Sequence, residues 1–348
     1  MNAPSGEPTD PESLTIALVA PPNSIHTRRW ADWFARAGHE VVLVDPTMAE
    51  LQPGIARGIR VEQPRQLRDA LVRLKPDIVH AQYLARFGWR ALRAGVRPLV
   101  VTPWGSDLLQ VPRWRLRTRL WNRLALSSAD LVTVSSEGMR SAAVKAGARA
   151  DRIALVRHGV DTSRFAPGSP HRPNPAQVAG SGAAVVLSPR SVTPLYRHDV
   201  VLAAVAQLAR RHDPAPVMVV TATAADPATL KALREAAGQL GVGDRLHVLE
   251  DVTPDDLPDL YRTADVVASV PETDSFAVTL LEAMATGVPV VASDLPAVAP
   301  MLRSIDPRAG QLVVPVGDVA ATADAIERAL TLGSDARHML GTAMRSWV

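Results

Sequence analysis

The sequence predicts an α/β protein made of two successive halves, each a parallel sheet flanked by helices. Three observations carry this. Short apolar runs of strand length alternate with longer amphipathic stretches, which is the pattern of β–α–β units. The alternation runs from residue 14 to 156, breaks, and resumes at 185. The break, 167–182 (PGSPHRPNPAQVAGSG), has the Pro, Gly and small-residue composition of a linker. A chain of 348 residues holds two domains of ordinary size. The expected division is 1–166, a linker at 167–183, 184–330, and a C-terminal segment at 331–348.

In the first half, 14–20 (LTIALVA) reads as a strand, 25–37 as a helix stopped by Gly38, and 39–44 as a second strand. The loop between the first strand and helix lies at the carboxyl end of the sheet, where open α/β sheets bind ligands. Asn23 and His26 are therefore candidate contacts. A helix is expected at 66–74 and a strand at 76–81 (PDIVHA), with His80 at the strand end either pointing toward the cleft or, the favoured reading, only structural. The strand 99–102 runs into a turn, Pro103-Trp104-Gly105-Ser106-Asp107. In 111–126, Arg115, Arg119 and Arg123 share one helix face, and Trp114, Leu120, Trp121 and Leu124 fall on the other. The favoured reading of that helix is a solvated outer helix. The second is a peripheral contact with an anionic membrane surface. Strands at 130–134 and 153–156 flank a helix at 137–146.

The second half repeats this outline. Strands are expected at 185–187, 217–221, 245–249, 265–269, 289–293 and 311–314. Helices are expected at 198–211, 226–240, 255–262, 276–285 and 318–330. Its most informative stretch is 264–298. Glu272 and Asp274 lie in a polar loop, and Glu282 lies inside the next helix among Leu280, Leu281, Ala283 and Met284. A carboxylate is costly to desolvate there. If wholly helical, the interval from Asp274 to Glu282 spans roughly 12 Å, about the length of a sugar with its diphosphate. A helix start at Ser275-Phe276 offers N–H groups and a positive dipole end to an anion.

Composition narrows the function classes. Hydrophobic residues make up 47% and charged residues 21%, as in a globular protein. No apolar run approaches the ~20 residues of a membrane span. The first 13 residues lack the basic and apolar regions of a signal peptide. The absence of cysteine rules out disulfides, thiolate metal sites and a cysteine nucleophile, and fits a cytoplasmic location. Positive charge is nearly all arginine, which suits phosphate and carboxylate. Aromatics are 4%, with no stacking platform for nucleic acid. Acids and histidines do not fall at a metal-ligand spacing.

The run Glu282-Ala-Met-Ala-Thr-Gly-Val-Pro-Val, preceded by Asp274, closely resembles the signature of retaining nucleotide-sugar glycosyltransferases of the GT-B fold, the GT4-like group (glycosyl transferases group 1). In that family an acidic residue, seven further residues and a Glu precede Ala-Met-Ala-x-Gly-x-Pro-Val, with Glu commoner where Asp274 stands. The resemblance extends roughly from Leu14 to Ala329. It includes Pro76-Asp77 to His80, Gly105-Ser106-Asp107, and Gly159-Val160-Asp161 with Phe165. It implies two Rossmann-like domains facing each other across a cleft, with the acceptor side in 1–166 and the donor side in 184–330. It implies a transferase of the EC 2.4 class. The donor would be a nucleotide-diphosphate sugar of UDP or GDP type. The acceptor would be a polysaccharide, a lipid-linked sugar or a small molecule. Configuration would be retained, with no metal and no further cofactor. The catalytic set implied is Asp274, Glu282, Arg190, Asp107 and His80. The binding set is Arg190, Arg197, Thr193, Ser275, Phe276, Glu282, Asn23, His26, Trp104 and Gly105. Asp274 would hold sugar hydroxyls, Glu282 ribose hydroxyls, and Arg190 the diphosphate.

The chain departs from the family at several points. Leu195 replaces the usual Lys, leaving Arg197 as the second cation. Trp104 stands where relatives often carry His, and the Asn23 loop lacks Gly-Gly. Residues 336–348 resemble the beginning of a helix that relatives carry back onto the first domain. The alternatives are a non-catalytic nucleotide-sugar-binding protein and, ranked lower, a sugar-nucleotide epimerase of the same fold.

Overall fold

The computed structural model describes residues 13–22, 24–45, 57–61, 64–111, 115–170, 182–223 and 225–348. They form two compact units, 1–157 and 158–348.

The first unit is built on a seven-stranded parallel sheet of order β3-β2-β1-β4-β5-β6-β7. Its strands are β1 (Thr15–Val19), β2 (Glu40–Asp45), β3 (Arg57–Arg60), β4 (Ile78–Gln82), β5 (Leu99–Thr102), β6 (Leu131–Val134) and β7 (Ile153–Leu155). Helix α1 (Ile25–Arg36) covers one face, where Ile16, Leu18, Val41 and Leu43 pack with Ala31. The alternate residues Ala17, Val19, Val42, Val44, Val79 and Ala81 pack into a larger core on the other face. That face carries α2 (Pro64–Leu74), α3 (Trp89–Ala94) and α5 (Leu116–Ser128), with α6 (Glu137–Lys145) against β6 and β7. Burial on both faces is why these strands read as continuous apolar runs. The sequence did not mark β3, α3, the π-helical turn Leu84–Gly88 before it, or the short α4 (Ser106–Leu109). Helix α5 also differs from expectation. Its buried side is Asn122, Ala125 and Leu126. Leu120 and Leu124 are exposed, and Trp114 lies outside the described residues.

The second unit carries a six-stranded parallel sheet of order β10-β9-β8-β11-β12-β13. The strands are β8 (Val185–Ser188), β9 (Val217–Thr221), β10 (Leu246–Leu249), β11 (Val266–Ser269), β12 (Val290–Ser293) and β13 (Val313–Val314). Its helices are α7 (His198–Ala209), α8 (Pro227–Gln239), α9 (Leu257–Arg262), α10 (Val278–Ala285), α11 (Ala299–Ile305), α12 (Pro307–Gly310), α13 (Val319–Leu330) and α14 (Ser334–Trp347). Segment 158–166, expected at the end of the first domain, lies in this unit. Phe165 packs in its core, 5.8 Å from the Tyr261 ring. Arg345 on α14 donates to the carbonyls of Thr162 and Phe165, both at 3.1 Å, and to that of Ala285 at the end of α10. Helix α14 also touches the turn after α10, where a Cβ on Gly341 would overlap the Gly287 carbonyl oxygen.

One device recurs in both sheets. An Asp just before a strand accepts the backbone N–H that opens its neighbour. Asp77 takes Thr15 N (2.7 Å), Asp130 takes Leu99 N (2.8 Å) and Asp265 takes Val185 N (2.8 Å). Each sits in an Ala/Pro-Asp-apolar-Val run, 76–79, 129–132 and 264–267. Hydrogen bonding to the charged form holds Asp130 below its ordinary range, with Leu99 N–H the largest cause.

Candidate functional site

In an open α/β sheet, ligands bind at the carboxyl ends of the strands where the strand order reverses. The second sheet reverses between β8 and β11, which pair in parallel. The loops after these two strands are 189–197 and 270–277, and they hold most of the expected donor residues.

The loops are tied together. The Arg190 guanidinium lies 3.0 Å from Asp274 Oδ2, with side chains only 13% and 7% exposed. Arg190 also donates to Thr279 Oγ1 at 3.3 Å and stacks 4.1 Å from the Tyr196 ring centroid. Glu272 N donates to Leu195 O at 3.1 Å. Arg197 is held by two carboxylates, Asp199 (2.9 Å) and Glu272 (3.3 Å), and its pairing with Asp199 raises its pKa. It adopts a left-handed backbone (φ 49°) at the start of α7. Thr193 precedes a short 3₁₀ turn, Pro194–Tyr196, and its carbonyl accepts Tyr196 N. Despite the 3.0 Å separation, Asp274 Oδ2 accepts no well-aligned hydrogen bond from the described residues. The pair is close enough to attract, and the oxygen is itself buried.

Helix α10 begins at Val278, two residues later than expected. Ser275 and Phe276 are therefore loop residues. Phe276 N donates to Asp274 Oδ1 (3.3 Å), and its ring lies 6.1 Å from His158. This turn delays the helix and holds Asp274 beside Arg190. Glu282, 6% exposed, accepts a hydrogen bond from Tyr261 Oη at 2.8 Å. Tyr261 is wholly buried and comes from α9. It was not singled out in the sequence because a Tyr among Leu and Pro reads as core. Thr279 and Tyr196 were missed for the same reason.

The first sheet reverses between β1 and β4. Around that point His26, Tyr83 and Trp104 form an aromatic group, with ring centroids 4.9 Å (His26–Trp104) and 5.7 Å (Tyr83–Trp104) apart. The Trp104 indole N–H and both ends of the Gln82 amide are buried without partners among the described residues. Asn23 lies outside the described residues. Gly105 is buried at φ 129°, a backbone angle that L side chains rarely adopt.

Two expected catalytic residues have other surroundings. His80 is 2% exposed. Its ring packs edge-on against Trp30 (5.0 Å) and against Phe34 of α1, and Nε2 meets Thr102 Oγ1 at 2.7 Å. Burial lowers its pKa to about 3, so it is neutral at physiological pH. Asp107 is 3% exposed and accepts from Leu84 N (2.6 Å), Trp104 N (3.0 Å) and Gly105 N (2.9 Å). Burial pushes its pKa up, and those donors offset part of the rise. It pins the turn that presents Trp104. Among the described residues, no group of three or more His, Cys, Asp or Glu side chains is placed to hold a metal ion.

A family model described as Glycosyl transferases group 1 matches residues 174–347, half of the chain, and one described as Glycosyltransferase Family 4 matches residues 24–164. The chain belongs to the glycosyl transferases group 1 family. Curated relatives include the D-inositol 3-phosphate glycosyltransferase of Saccharomonospora viridis, 30% identical over 286 residues, covering 77% of this chain and 65% of its own. The protein of that name from Nocardia farcinica is 31% identical over 242 residues, covering 65% and 53%. The chain thus spans between half and two thirds of the length of these two relatives. Among solved structures, sucrose-phosphate synthase from Thermosynechococcus elongatus superposes with a TM-score of 0.78 at 21% identity, covering 96% of this chain and 94% of its own. Anabaena HepE in complex with UDP and glucose gives 0.78 at 17% identity, with the same coverage. At these identities the likeness shows the fold, α/β of GT-B class with two Rossmann-like units. Family membership explains the sequence signature as a whole. The glycosyl transferases group 1 pattern places its acids on the loop and helix that follow β11.

Proposed function

We propose that this chain transfers a glycosyl group from a nucleoside-diphosphate sugar to an acceptor hydroxyl, with retention at the anomeric carbon and no bound metal. The observation that carries the reading is Asp274. It is a buried carboxylate at the sheet reversal, beside Arg190. Such a carboxylate suits a sugar hydroxyl, and the neighbouring guanidinium suits the phosphate that departs from the same sugar. Glycosyl transfer develops positive charge on the sugar and negative charge on the leaving phosphate, so fixed cations and dipoles supply much of the catalysis. Glu282, oriented by Tyr261, accepts from the ribose hydroxyls. The leaving phosphate helps deprotonate the acceptor. With His80 neutral and enclosed and Asp107 held by backbone N–H groups, neither is assigned a proton-transfer role.

The complexes of Anabaena HepE with UDP and with UDP-glucose favour a UDP donor. The names of the curated relatives make D-inositol 3-phosphate the first acceptor to assay. A thermal-shift series with UDP, GDP and ADP, followed by nucleotide release from the matching sugars, tests the reading. Stabilisation by one nucleotide and acceptor-dependent release support it. No stabilisation by any of the three sinks it. Chelation by EDTA is expected to leave the rate unchanged, and a loss restored by added metal would contradict the metal-free part. A second reading, a donor-binding protein without turnover, is favoured by one observation: Trp104 stands in the first unit where relatives often carry His. Nucleotide binding without release across an acceptor panel would select it.

A further inference from the structure

Helix α5 turns Asn122, Ala125 and Leu126 inward and presents a second, apolar stripe to solvent. Leu116, Leu120 and Leu124 recur every fourth residue and are 73%, 57% and 40% exposed. At 3.6 residues per turn they form one stripe. Arg119 and Arg123 lie along one edge of it, and Arg117 along the other, all exposed. Beyond Arg117 the surface opens into a cavity of about 580 Å³ lined by Arg86, Trp89, Arg90, Arg93, Arg117 and Trp121. The two indoles are tilted, with centroids 6.3 Å apart, and the Arg93 guanidinium lies 6.0 Å from the Trp121 ring. Trp89 is fixed by its indole N–H, which donates to the buried Asn122 at 3.0 Å. Among the described residues, no acidic side chain lines the cavity. From residue 78 to 129 the sequence has nine arginines and one carboxylate, Asp107, which is buried under backbone N–H groups.

We infer that this face of the first unit docks on an anionic phospholipid surface, with the α5 leucines entering the interface and the arginine–tryptophan cavity taking a headgroup phosphate. An apolar stripe bordered by arginines matches a layer in which acyl chains lie beneath phosphates. Tryptophan suits the boundary, with an apolar ring and a polar N–H. Each arginine near a negatively charged leaflet adds attraction that salt screens. A polyanion such as RNA would complement the arginines and leave the leucines in water, so the stripe decides for lipid. The inference does not depend on the catalytic reading, since no residue of the donor site takes part.

The test is co-sedimentation of the full chain with phosphatidylcholine vesicles, with and without about 30% phosphatidylglycerol. The chain is expected to pellet with the anionic vesicles only, and less at high salt. The exposed triple substitution Leu116→Ser, Leu120→Ser, Leu124→Ser is expected to lower the bound fraction about tenfold. Arg86→Ala with Arg93→Ala is expected to lower binding to anionic vesicles by a similar factor. Thermal unfolding checks that both variants remain folded. Three results would overturn the inference: wild-type protein left in the supernatant, binding unchanged by the leucine substitutions, or binding of inorganic pyrophosphate or RNA with no vesicle association.

Discussion

Tyr261 and Glu282 place the test of the donor site at single atoms. The phenol O–H is the donor that Glu282 Oε2 receives at 2.8 Å inside the core. Tyr261→Phe removes it without changing shape, at a cost of about 1–3 kcal/mol because a buried carboxylate loses a partner. Binding of UDP and of uridine should weaken together, since the ribose end is affected. Arg190→Ala should weaken UDP by about tenfold or more and spare uridine, since a charge-assisted contact to phosphate is lost. Calorimetry with both ligands checks the pair, and equal losses for Arg190→Ala contradict its phosphate role. His80 gives a pH prediction. The unfolded chain takes up a proton at the ordinary 6.5, and the native site refuses it until about 3. The stability is therefore fully present above pH 6.5 and is lost as pH falls through that window. His80→Gln should flatten the acid limb of the urea midpoint of the first unit, and an unchanged limb would show that His80 does not set it.

Among the elements, helix and strand positions were largely legible in the sequence, because parallel strands buried on both faces leave unbroken apolar runs. The helix at 137–146, for instance, forms as α6, 137–145, capped by Ser136, whose Oγ accepts Met139 N at 3.2 Å. The start of α10 was misplaced because the Asx contact between Asp274 and Phe276 N competes with the first helical turn. The π-helical turn 84–88 and α3 were missed because their arginines sit between apolar residues without a clean period. The Asp residues before β4, β6 and β11 matter to the site reading too. In the Pro-Asp-x-Val-His run the resemblance implies a role for His80, whereas the structure gives Asp77 an evident task, holding Thr15 N. Glycine 341 is the sharpest element-scale prediction. A methyl there meets the Gly287 backbone, which has no side chain to move aside. Gly341→Ala should destabilise the second unit by about 1–3 kcal/mol despite the higher helix propensity of Ala. A raised or unchanged melting temperature would show that α14 shifts freely.

On the scale of the whole chain, two units each own a core, and the boundary at 157/158 follows burial more than composition. The Pro- and Gly-rich stretch marked a break in the alternation. It did not reveal that Phe165 anchors the preceding segment in the second unit. The paired Asp274 and Glu282 were legible, because acids among apolar residues stand out. Tyr261, which donates to Glu282, and Thr279 and Tyr196, which contact Arg190, were not, since only folding brings them near. A chain of residues 158–348 should fold alone and retain UDP binding, checked by circular dichroism and thermal shift. Failure to bind would mean that donor recognition needs the first unit. That piece contains a single tryptophan, Trp347, at the end of α14. Arg345 ties this same helix to the carbonyl closing α10 and to the 162–165 backbone. Opening of α14 therefore removes support from the helix that carries Glu282. By linkage, a nucleotide that favours the closed site must slow amide hydrogen exchange in α14 even without touching it, which makes the last helix a remote gauge of donor occupancy.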